Sequence, residues 1–184
     1  MALRPGRCYK IVHRPYTRVS TSVPRKSYVV GVPDSKITQF EMGAKKKSFE
    51  KTFRIVTGRD MNVRSNALEA SRQVASKYLE RILTVENFFF KVLVYPYHVL
   101  RENALATGAG ADRFQEGMRK SFGKPIGTAA IVRKGQAIME LRVSKENEKI
   151  ARVALDRATK KLPPGNRVIE ISKKLPSDNR IVKI

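Results

Sequence analysis

Residues 88–95 read FFFKVLVY and are followed by Pro96. The run is rich in aromatic and β-branched residues, and proline lacks the N–H that a sheet needs, so the pattern predicts a buried strand ending there. Residues 66–82 before it carry apolar side chains at helical spacing, with Ser65 or Asn66 as N-cap and Glu69 in the capping-box position. The predicted core stripe of this helix consists of Ala67, Ala70, Val74, Tyr78 and Ile82, flanked by Leu68, Ala75 and Leu79.

Further strands and a second helix are predicted on both sides of this pair. Alternating or β-branched patterns predict strands at residues 36–42, 49–57, 126–132, 137–143 and 167–172. We expect Gly135 to lie in a hairpin turn between the strands 126–132 and 137–143. Ser144 is the expected cap of a second helix, which LPPG at residues 162–165 ends. Its predicted core face consists of Ile150, Val153, Ala154, Ala158 and Leu162.

The order strands, helix, strands, helix, strand indicates an α+β fold. We predict a two-layer sandwich, in which two helices pack on one mixed or antiparallel sheet. Residues 34–172 would form this single domain, preceded by a basic arm at residues 1–33 and followed by a tail at residues 173–184.

Charge is the strongest signal in the composition. The 184 residues include 38 Lys and Arg against 16 Asp and Glu, a formal net charge of +22, which indicates a polyanionic partner. The longest apolar run, residues 88–100, contains a lysine and a proline and is shorter than the roughly 20 residues of a membrane span. A single cysteine, Cys8, and an N-terminus without an apolar signal-peptide core fit a reducing compartment. We therefore expect a soluble, intracellular protein that binds nucleic acid and not a membrane.

The predicted arm is basic and punctuated by prolines. No acidic residue precedes Asp34, and tyrosines alternate with the charges. This pattern is typical of an extended arm that orders on a polyanion, although a plain solvated tail has the same composition. The tyrosines favour the arm, because they can stack on bases. The basic residues are Arg4, Arg7, Lys10, Arg14, Arg18, Arg25 and Lys26.

Residues 112–128, DRFQEGMRKSFGKPIGT, carry a second concentration of positive charge. Glycines allow close approach of the backbone to a surface, and Arg and Lys provide the counter-charge for phosphate. We call this segment the basic platform; its cations are Arg113, Arg119, Lys120 and Lys124. Residues 102–111 just before it are small and flexible, which predicts an exposed, mobile loop. Arg133 and Lys134 in the predicted turn add two more candidate RNA contacts.

Several apparent catalytic or cofactor motifs lack the residues or the spacing that their chemistry requires. Residues 117–124, GMRKSFGK, resemble a phosphate-binding loop, but five residues separate the glycines and Pro125 replaces the Ser or Thr that would bind magnesium. Gly108 and Gly110 lack the third glycine of a dinucleotide fingerprint. The two histidines and the lone cysteine have no zinc-ligand spacing. We therefore predict no cofactor, no metal site and no catalytic residue.

One pair of acids on the platform allows two interpretations. Asp112 and Glu116 could be a carboxylate pair of the catalytic kind. The adjacent Arg113 and Arg119 favour an ion pair that orients the arginines. His98, beside Pro96 and Tyr97, is expected to be structural or to contact RNA.

RNA is favoured over DNA as the partner, because neither predicted helix has a face basic enough to read a major groove. Arms, loops and turns suit irregular folded RNA. Three functions remain: a structural RNA-binding component, an RNA-modifying enzyme that uses the basic surface to capture substrate, and a free-standing RNA chaperone.

The motifs now quoted resemble a known family. AGADRFQEGMRKSFGKP at residues 109–125 and IGTAAIVRKGQAIM at 126–139 are similar to the archaeal and eukaryotic "L ten e" branch of the universal ribosomal protein "L sixteen" family. RPGRCY at 4–9, GVPDSKI at 31–37 and ALEASRQVASKY at 67–78 extend the similarity, in register, over nearly the whole chain.

The resemblance implies a hammerhead-type α+β sandwich in the large ribosomal subunit. Its implied partners are large-subunit ribosomal RNA near the aminoacyl-tRNA site, transfer RNA and neighbouring ribosomal proteins, and no homo-oligomer is expected. The arm and the platform would hold ribosomal RNA, and the glycine loop would face transfer RNA. That loop consists of Asn103, Ala104, Leu105, Ala106, Thr107, Gly108, Ala109, Gly110 and Ala111.

Overall fold

The computed structural model describes residues 4–9, 23 and 29–171. Most of the predicted arm and all of the predicted tail beyond residue 172 therefore lie outside the described residues. A short 3-10 helix, Gly6–Tyr9, stands apart from the main elements. In chain order these are β1 (Glu41–Gly43), β2 (Lys51–Thr57), β3 (Met61–Arg64), α1 (Ser65–Ile82), β4 (Phe88–Val92), β5 (His98–Glu102), β6 (Lys124–Val132), β7 (Ala137–Val143), α2 (Glu148–Thr159) and β8 (Asn166–Ile171).

The strands form two antiparallel sheets. The larger sheet has the order β1-β4-β7-β2-β8, and the smaller has the order β3-β6-β5. In the larger sheet Leu141 of β7 lies between Phe53 of β2 and Phe90 of β4, and all three side chains are fully buried. Both helices pack against this apolar face, and α1 also contacts β3 and β6, so one continuous core joins the two sheets.

The opposite face of the larger sheet carries charged residues in register. Glu140 of β7 pairs across the sheet with Arg54 of β2 on one side and Lys91 of β4 on the other, and Lys91 in turn is opposite Glu41. Period-two alternation explains both faces, since successive side chains of a strand point to opposite sides.

The α+β class and the two helices are confirmed, but the single sheet is wrong. The strands β3 and β5 were not predicted, and together with β6 they form the second sheet. The hairpin at residues 133–136 is also wrong, because β6 and β7 belong to different sheets. The turn instead docks on the connection between β2 and β3: the N–H of Gly135 donates to the carbonyl of Thr57 at 2.8 Å, and that of Lys134 to Asp60 Oδ1 at 2.7 Å.

The helices differ from the prediction in their buried faces and caps. In α1 the residues predicted as flanks, Leu68, Ala75 and Leu79, are the fully buried ones, whereas Ile82 is 46% exposed. The helix begins at Ser65 with Arg64 at the N-cap, and no side chain caps it. Glu69 binds Arg72 and Gln73 of its own helix rather than the N-terminus.

In α2, Val153 is 41% exposed. The buried residues are Ala151, Ala154, Leu155 and Ala158. A 3-10 turn, Lys145–Asn147, lies between Ser144 and α2, and the Ser144 side chain makes no cap hydrogen bond. Of the predicted core face, Ala154, Ala158 and Leu162 are confirmed, Ile150 is partly buried against the core, and Val153 is wrong.

Candidate nucleic-acid interface

The predicted loop and basic platform are one connection, residues 103–123, between two paired strands. Glu102 at the end of β5 is opposite Lys124 at the start of β6, and Leu100 is opposite Gly127. The last part of the predicted platform is therefore strand rather than loop. The connection extends from the end of the smaller sheet, and we call it the β5–β6 connection.

The base of this connection is closed by contacts between its two sides. The guanidinium of Arg101 lies 3.8 Å from the centroid of the Phe122 ring and also donates to the Phe122 carbonyl. Gly123 has a φ of +80°, and a Cβ there would lie 2.9 Å from the carbonyl carbon of Glu102. Only glycine fits such a close backbone approach, so the connection leaves the sheet in a defined direction.

The side chain of Gln115 fastens the exposed tip of the connection at Ala106. The Gln115 amide accepts from the N–H of Ala106 at 2.6 Å and donates to the carbonyl of Ala106 at 2.8 Å. Residues 104–109 are otherwise exposed, and a Cβ added at Gly108 or Gly110 would meet no atom within 4 Å apart from the adjacent residues. The sequence predicts this loop but gives no sign of the Gln115 contact that fastens it.

All four cations of the platform are exposed on this connection or at its junction with β6. Glu116 pairs with Lys120 at 2.7 Å. The predicted ion pair to Arg113 and Arg119 is therefore wrong for Glu116, because Lys120 lies one helical turn further on and is nearer. Neither arginine forms an ion pair within the part of the chain that the structure describes, which leaves both available for phosphate.

Exposed apolar side chains accompany these cations. Phe114 is 88% exposed and Met118 is 67% exposed, and Leu105 and Phe122 are also exposed. The spacing of Phe114, Met118 and Phe122 at four-residue intervals was a signal in the sequence, but the charges drew attention away from it. Exposed aromatic rings among arginines can stack on unpaired bases.

Arg133 and Lys134 lie at the other end of β6, away from the platform. The nine-residue strand β6 begins at Lys124 and ends just before Arg133, so the two groups are roughly 30 Å apart along the strand. The structure thus divides the predicted cations into two separate groups instead of bringing them together.

The described part of the arm is docked on the body. Arg4 Nε lies 2.6 Å from Glu102 Oε1, and this hydrogen bond raises the pKa of Arg4. Arg64 donates to the Arg4 carbonyl at 2.7 Å and lies over the Tyr9 ring, and the Asn62 amide donates to the Tyr9 carbonyl. Arg7 is exposed. The predicted RNA contacts Arg14, Arg18, Arg25 and Lys26 lie outside the described residues.

Two carboxylates on the charged face of the larger sheet bind four cations in ion pairs. Glu41 pairs with Lys45 and Lys91 at 2.7 and 2.8 Å, and the hydrogen bonds from Lys45 and then Lys91 lower the pKa of Glu41 to about 2. Glu140 binds Arg54 and Arg142 on the same face. Among the described residues, cations without an acidic partner lie on the β5–β6 connection, on the turns around β3 and β6, and on both helices.

Other candidate chemistry has a structural explanation or is absent from the described residues. His98 is buried at the start of β5. Within residues 4–9, 23 and 29–171, no cluster of His, Cys, Asp or Glu could hold a metal ion. None of the helices there is long and apolar enough to cross a membrane.

The sequence that forms this scaffold and its exposed basic connection matches a family of ribosomal proteins. The family model for ribosomal protein L16p/L10e matches residues 15–169, and the chain belongs to that family. It is therefore a ribosomal protein and not an enzyme.

Curated relatives support the same assignment. The chain is 47% identical over 170 residues to large ribosomal subunit protein uL16 of Staphylothermus marinus, covering 92% of this chain and 94% of the relative. It is also 47% identical to the protein of that name from Sulfolobus acidocaldarius, over 94% and 95% of the two chains. The protein of that name from Archaeoglobus fulgidus is 40% identical over 92% and 93%.

Proposed function

We propose that this protein is a structural component of the large ribosomal subunit in the cytoplasm. It binds large-subunit ribosomal RNA near the transfer RNA sites and contacts neighbouring ribosomal proteins as a single copy. The observation that carries this proposal is the β5–β6 connection, which combines exposed cations, an exposed aromatic ring and a glycine-rich tip on a rigid stem.

Each part of the connection has its own role in this proposal. Arg113, Arg119 and Lys124 neutralise RNA phosphates, because they have no acidic partner among the described residues. Phe114 contacts bases. The glycine loop at residues 103–111 reaches towards transfer RNA, and its small side chains let the backbone approach closely. The arm and the turn residues Arg133 and Lys134 hold ribosomal RNA at separate places.

Sedimentation of a native lysate through a sucrose gradient tests the assignment. We expect the chain to co-migrate with large subunits at stoichiometric amounts and to remain there through a moderate salt wash. Recovery in the light fractions, with large subunits that lack it, would overturn the proposal.

Deleting residues 105–110 tests the role of the loop. The segment buries little surface, so the variant should fold and still enter large subunits, while translation or late subunit maturation falls. Its thermal unfolding measures the first expectation, and polysome profiles measure the second. An unfolded variant, or one with normal polysomes, would contradict the role given to the loop.

A further inference from the structure

A cavity of about 630 Å³ lies on the arm side of the molecule, apart from the β5–β6 connection. Four segments surround it: the 3-10 helix Gly6–Tyr9, the turn between β2 and β3, the start of α1, and residues 161–164 between α2 and β8. Its volume is in the range of pockets that take a small ligand of nucleotide size. We call it the arm pocket.

The charge of the arm pocket favours an anion. Its lining includes the four cations Arg7, Arg59, Arg64 and Lys161. Asp60 is the only carboxylate among the described residues that line it, and its Oδ1 already accepts the N–H of Lys134 at 2.7 Å. Arg7, Arg59 and Lys161 form no ion pair in the part of the chain described here, so their charges remain to be neutralised from outside.

Two of these cations are held in place before any ligand arrives. Arg64 donates to the carbonyl of Arg4. The side chain of Arg59 lies along Gly165, where a Cβ would come within 3.3 Å of Arg59 Nε. The same turn is fixed by the N–H of Gly58, which donates to the Gly165 carbonyl at 2.8 Å. A binding site whose charges are already positioned loses less entropy when it binds.

The remaining walls are apolar and include flat rings. Tyr9, Pro163 and Pro164 line the pocket together with Leu162 and Ala67. Tyr9 is half-buried, and Asn62 fixes its backbone carbonyl at 3.2 Å. Cations alone would fit free phosphate, whereas cations beside an aromatic ring and prolines fit a phosphate joined to a base.

We propose that the arm pocket binds one unstacked nucleotide, with its phosphate on Arg7, Arg59 and Lys161 and its base against Tyr9. The nucleotide is either a residue of bound RNA, in which case the inference extends the proposed function, or a free mononucleotide. In both cases the recognised chemistry is the same.

Calorimetry with the purified full-length chain tests this proposal. The probes are AMP, inorganic phosphate and a short single-stranded oligoadenylate. We expect Lys161→Ala and Arg7→Ala each to weaken AMP or oligoadenylate binding by about tenfold, because each removes a charge-assisted contact. Lys149→Ala removes the same charge from the exposed side of α2, outside the pocket, and should leave binding unchanged.

Variants of Tyr9 separate base recognition from phosphate recognition. Tyr9→Leu should weaken AMP or oligoadenylate binding by about tenfold while phosphate binding stays the same, and Tyr9→Phe should retain it. If the wild-type chain binds AMP, the ligand is assigned as a free nucleotide. If it binds oligoadenylate but not AMP, the ligand is assigned as a residue of RNA. Either result supports the pocket.

Three results would overturn the proposal. Lys149→Ala could lose as much nucleotide affinity as the pocket variants, or inorganic phosphate could bind as tightly as AMP and oligoadenylate. The third result would be tighter binding of polyglutamate, a polyanion without bases, than of the nucleotide probes. Sedimentation of the same variants keeps the two proposals separate. Pocket variants that bind nucleotide as tightly as the wild type and also co-migrate with large subunits would contradict this inference and leave the proposed function standing.

Discussion

At the scale of single residues, Glu140 is the most constrained charge described in the protein. Its side chain is 2% exposed in the middle of the larger sheet, and it accepts from Arg54 Nε at 2.6 Å and from Arg142 at 2.7 Å. Burial raises the pKa of Glu140, but the hydrogen bonds from Arg54 and Arg142 outweigh burial and leave its pKa below the ordinary value. The carboxylate is therefore ionised and stabilises the fold only while both arginines are paired with it.

Glu140→Gln keeps the size of this side chain but removes its charge. We expect a loss of about 1–3 kcal/mol in the free energy of unfolding at pH 7, because two guanidinium groups lose their acidic partner. Since the folded pKa is lowered, the wild-type contribution is present above the unfolded pKa and disappears as the pH falls through the folded pKa. Urea unfolding from pH 7 to pH 3 should therefore show a smaller decrease for the variant than for the wild type.

Glu146→Gln is the matched control, because Glu146 is exposed and forms no ion pair within the described residues. Its stability should stay within about 0.5 kcal/mol of the wild type. The same acid dependence in the wild type and in Glu140→Gln would contradict the stabilising role of this carboxylate.

At the scale of elements, the β5–β6 connection is organised from its base to its tip. Arg101 and Phe122 close the base, Gly123 allows the two backbones to approach, and Gln115 bonds to both backbone groups of Ala106. Beyond Glu102 and Lys124, where the backbone hydrogen bonds between β5 and β6 end, side-chain hydrogen bonds of this kind hold the two sides together. The tip is thus held to the rest of the connection chiefly through one amide.

Gln115→Ala should release the tip without unfolding the protein. We expect amide exchange at Ala106 to rise by about tenfold, because its N–H loses its acceptor, while the melting temperature changes little. Hydrogen exchange with mass spectrometry measures the first effect. Gln136→Ala, which removes a similar contact to Arg133 in the other turn, should leave exchange at the tip unchanged; slow exchange at Ala106 in Gln115→Ala would refute the role of this side chain.

Most regular elements of the fold were predictable because their periodicity is long enough to read. The seven residues of β2 and the eighteen of α1 repeat their patterns several times, whereas β3 has four residues and β5 has five. The turn at Gly135 was also visible, but a turn has the same local chemistry whether it joins paired strands or crosses between sheets. The strand pairing decides between them, together with the contacts of Gly135 with Thr57 and of Lys134 with Asp60, both far away in sequence.

The candidate interface was predictable in composition but not in arrangement. The sequence identifies Arg119 and Lys124 as exposed cations, yet it does not reveal that β6 separates them from Arg133. The regular spacing of Phe114, Met118 and Phe122 was visible, but it does not by itself predict exposure, because an aromatic side chain is more often buried. The arm pocket went unnoticed for a similar reason, since Tyr9, Arg59 and Lys161 come from distant parts of the chain.

At the scale of the whole molecule, charge is separated rather than spread evenly. The acidic residues are few, 16 against 38 basic ones, and those on the larger sheet and α2 are largely used in ion pairs there. Arg54, Lys91 and Arg142 on the outer face of that sheet are thus each bound to a carboxylate. Unpaired cations remain on the β5–β6 connection and around the arm pocket as well as on both helices. We expect RNA to meet the protein at the first two places, where exposed or pocket-lining apolar side chains accompany the charges.

Reversing two charges on the connection tests this separation. Arg119→Glu combined with Lys124→Glu should weaken binding to naked large-subunit ribosomal RNA by at least about tenfold at 100 mM salt. The logarithmic salt slope should also become shallower by about 1.4 to 1.8, because each of the two lost phosphate contacts removes roughly 0.7 to 0.9. Filter binding from 50 to 200 mM salt measures both quantities, and over that range we expect the wild type to lose about 10³ to 10⁵ in affinity if six to ten phosphates are contacted.

The control carries the same change in net charge on the other side of the molecule. Lys145→Glu with Lys149→Glu alters two exposed cations beside Glu148, which is itself ion-paired with Arg152. If RNA lies against the β5–β6 connection, the control keeps nearly the wild-type slope, because its charges meet no phosphate. An equal change of slope in both double variants would mean that RNA responds only to the total charge, and the connection would then have no special part in binding.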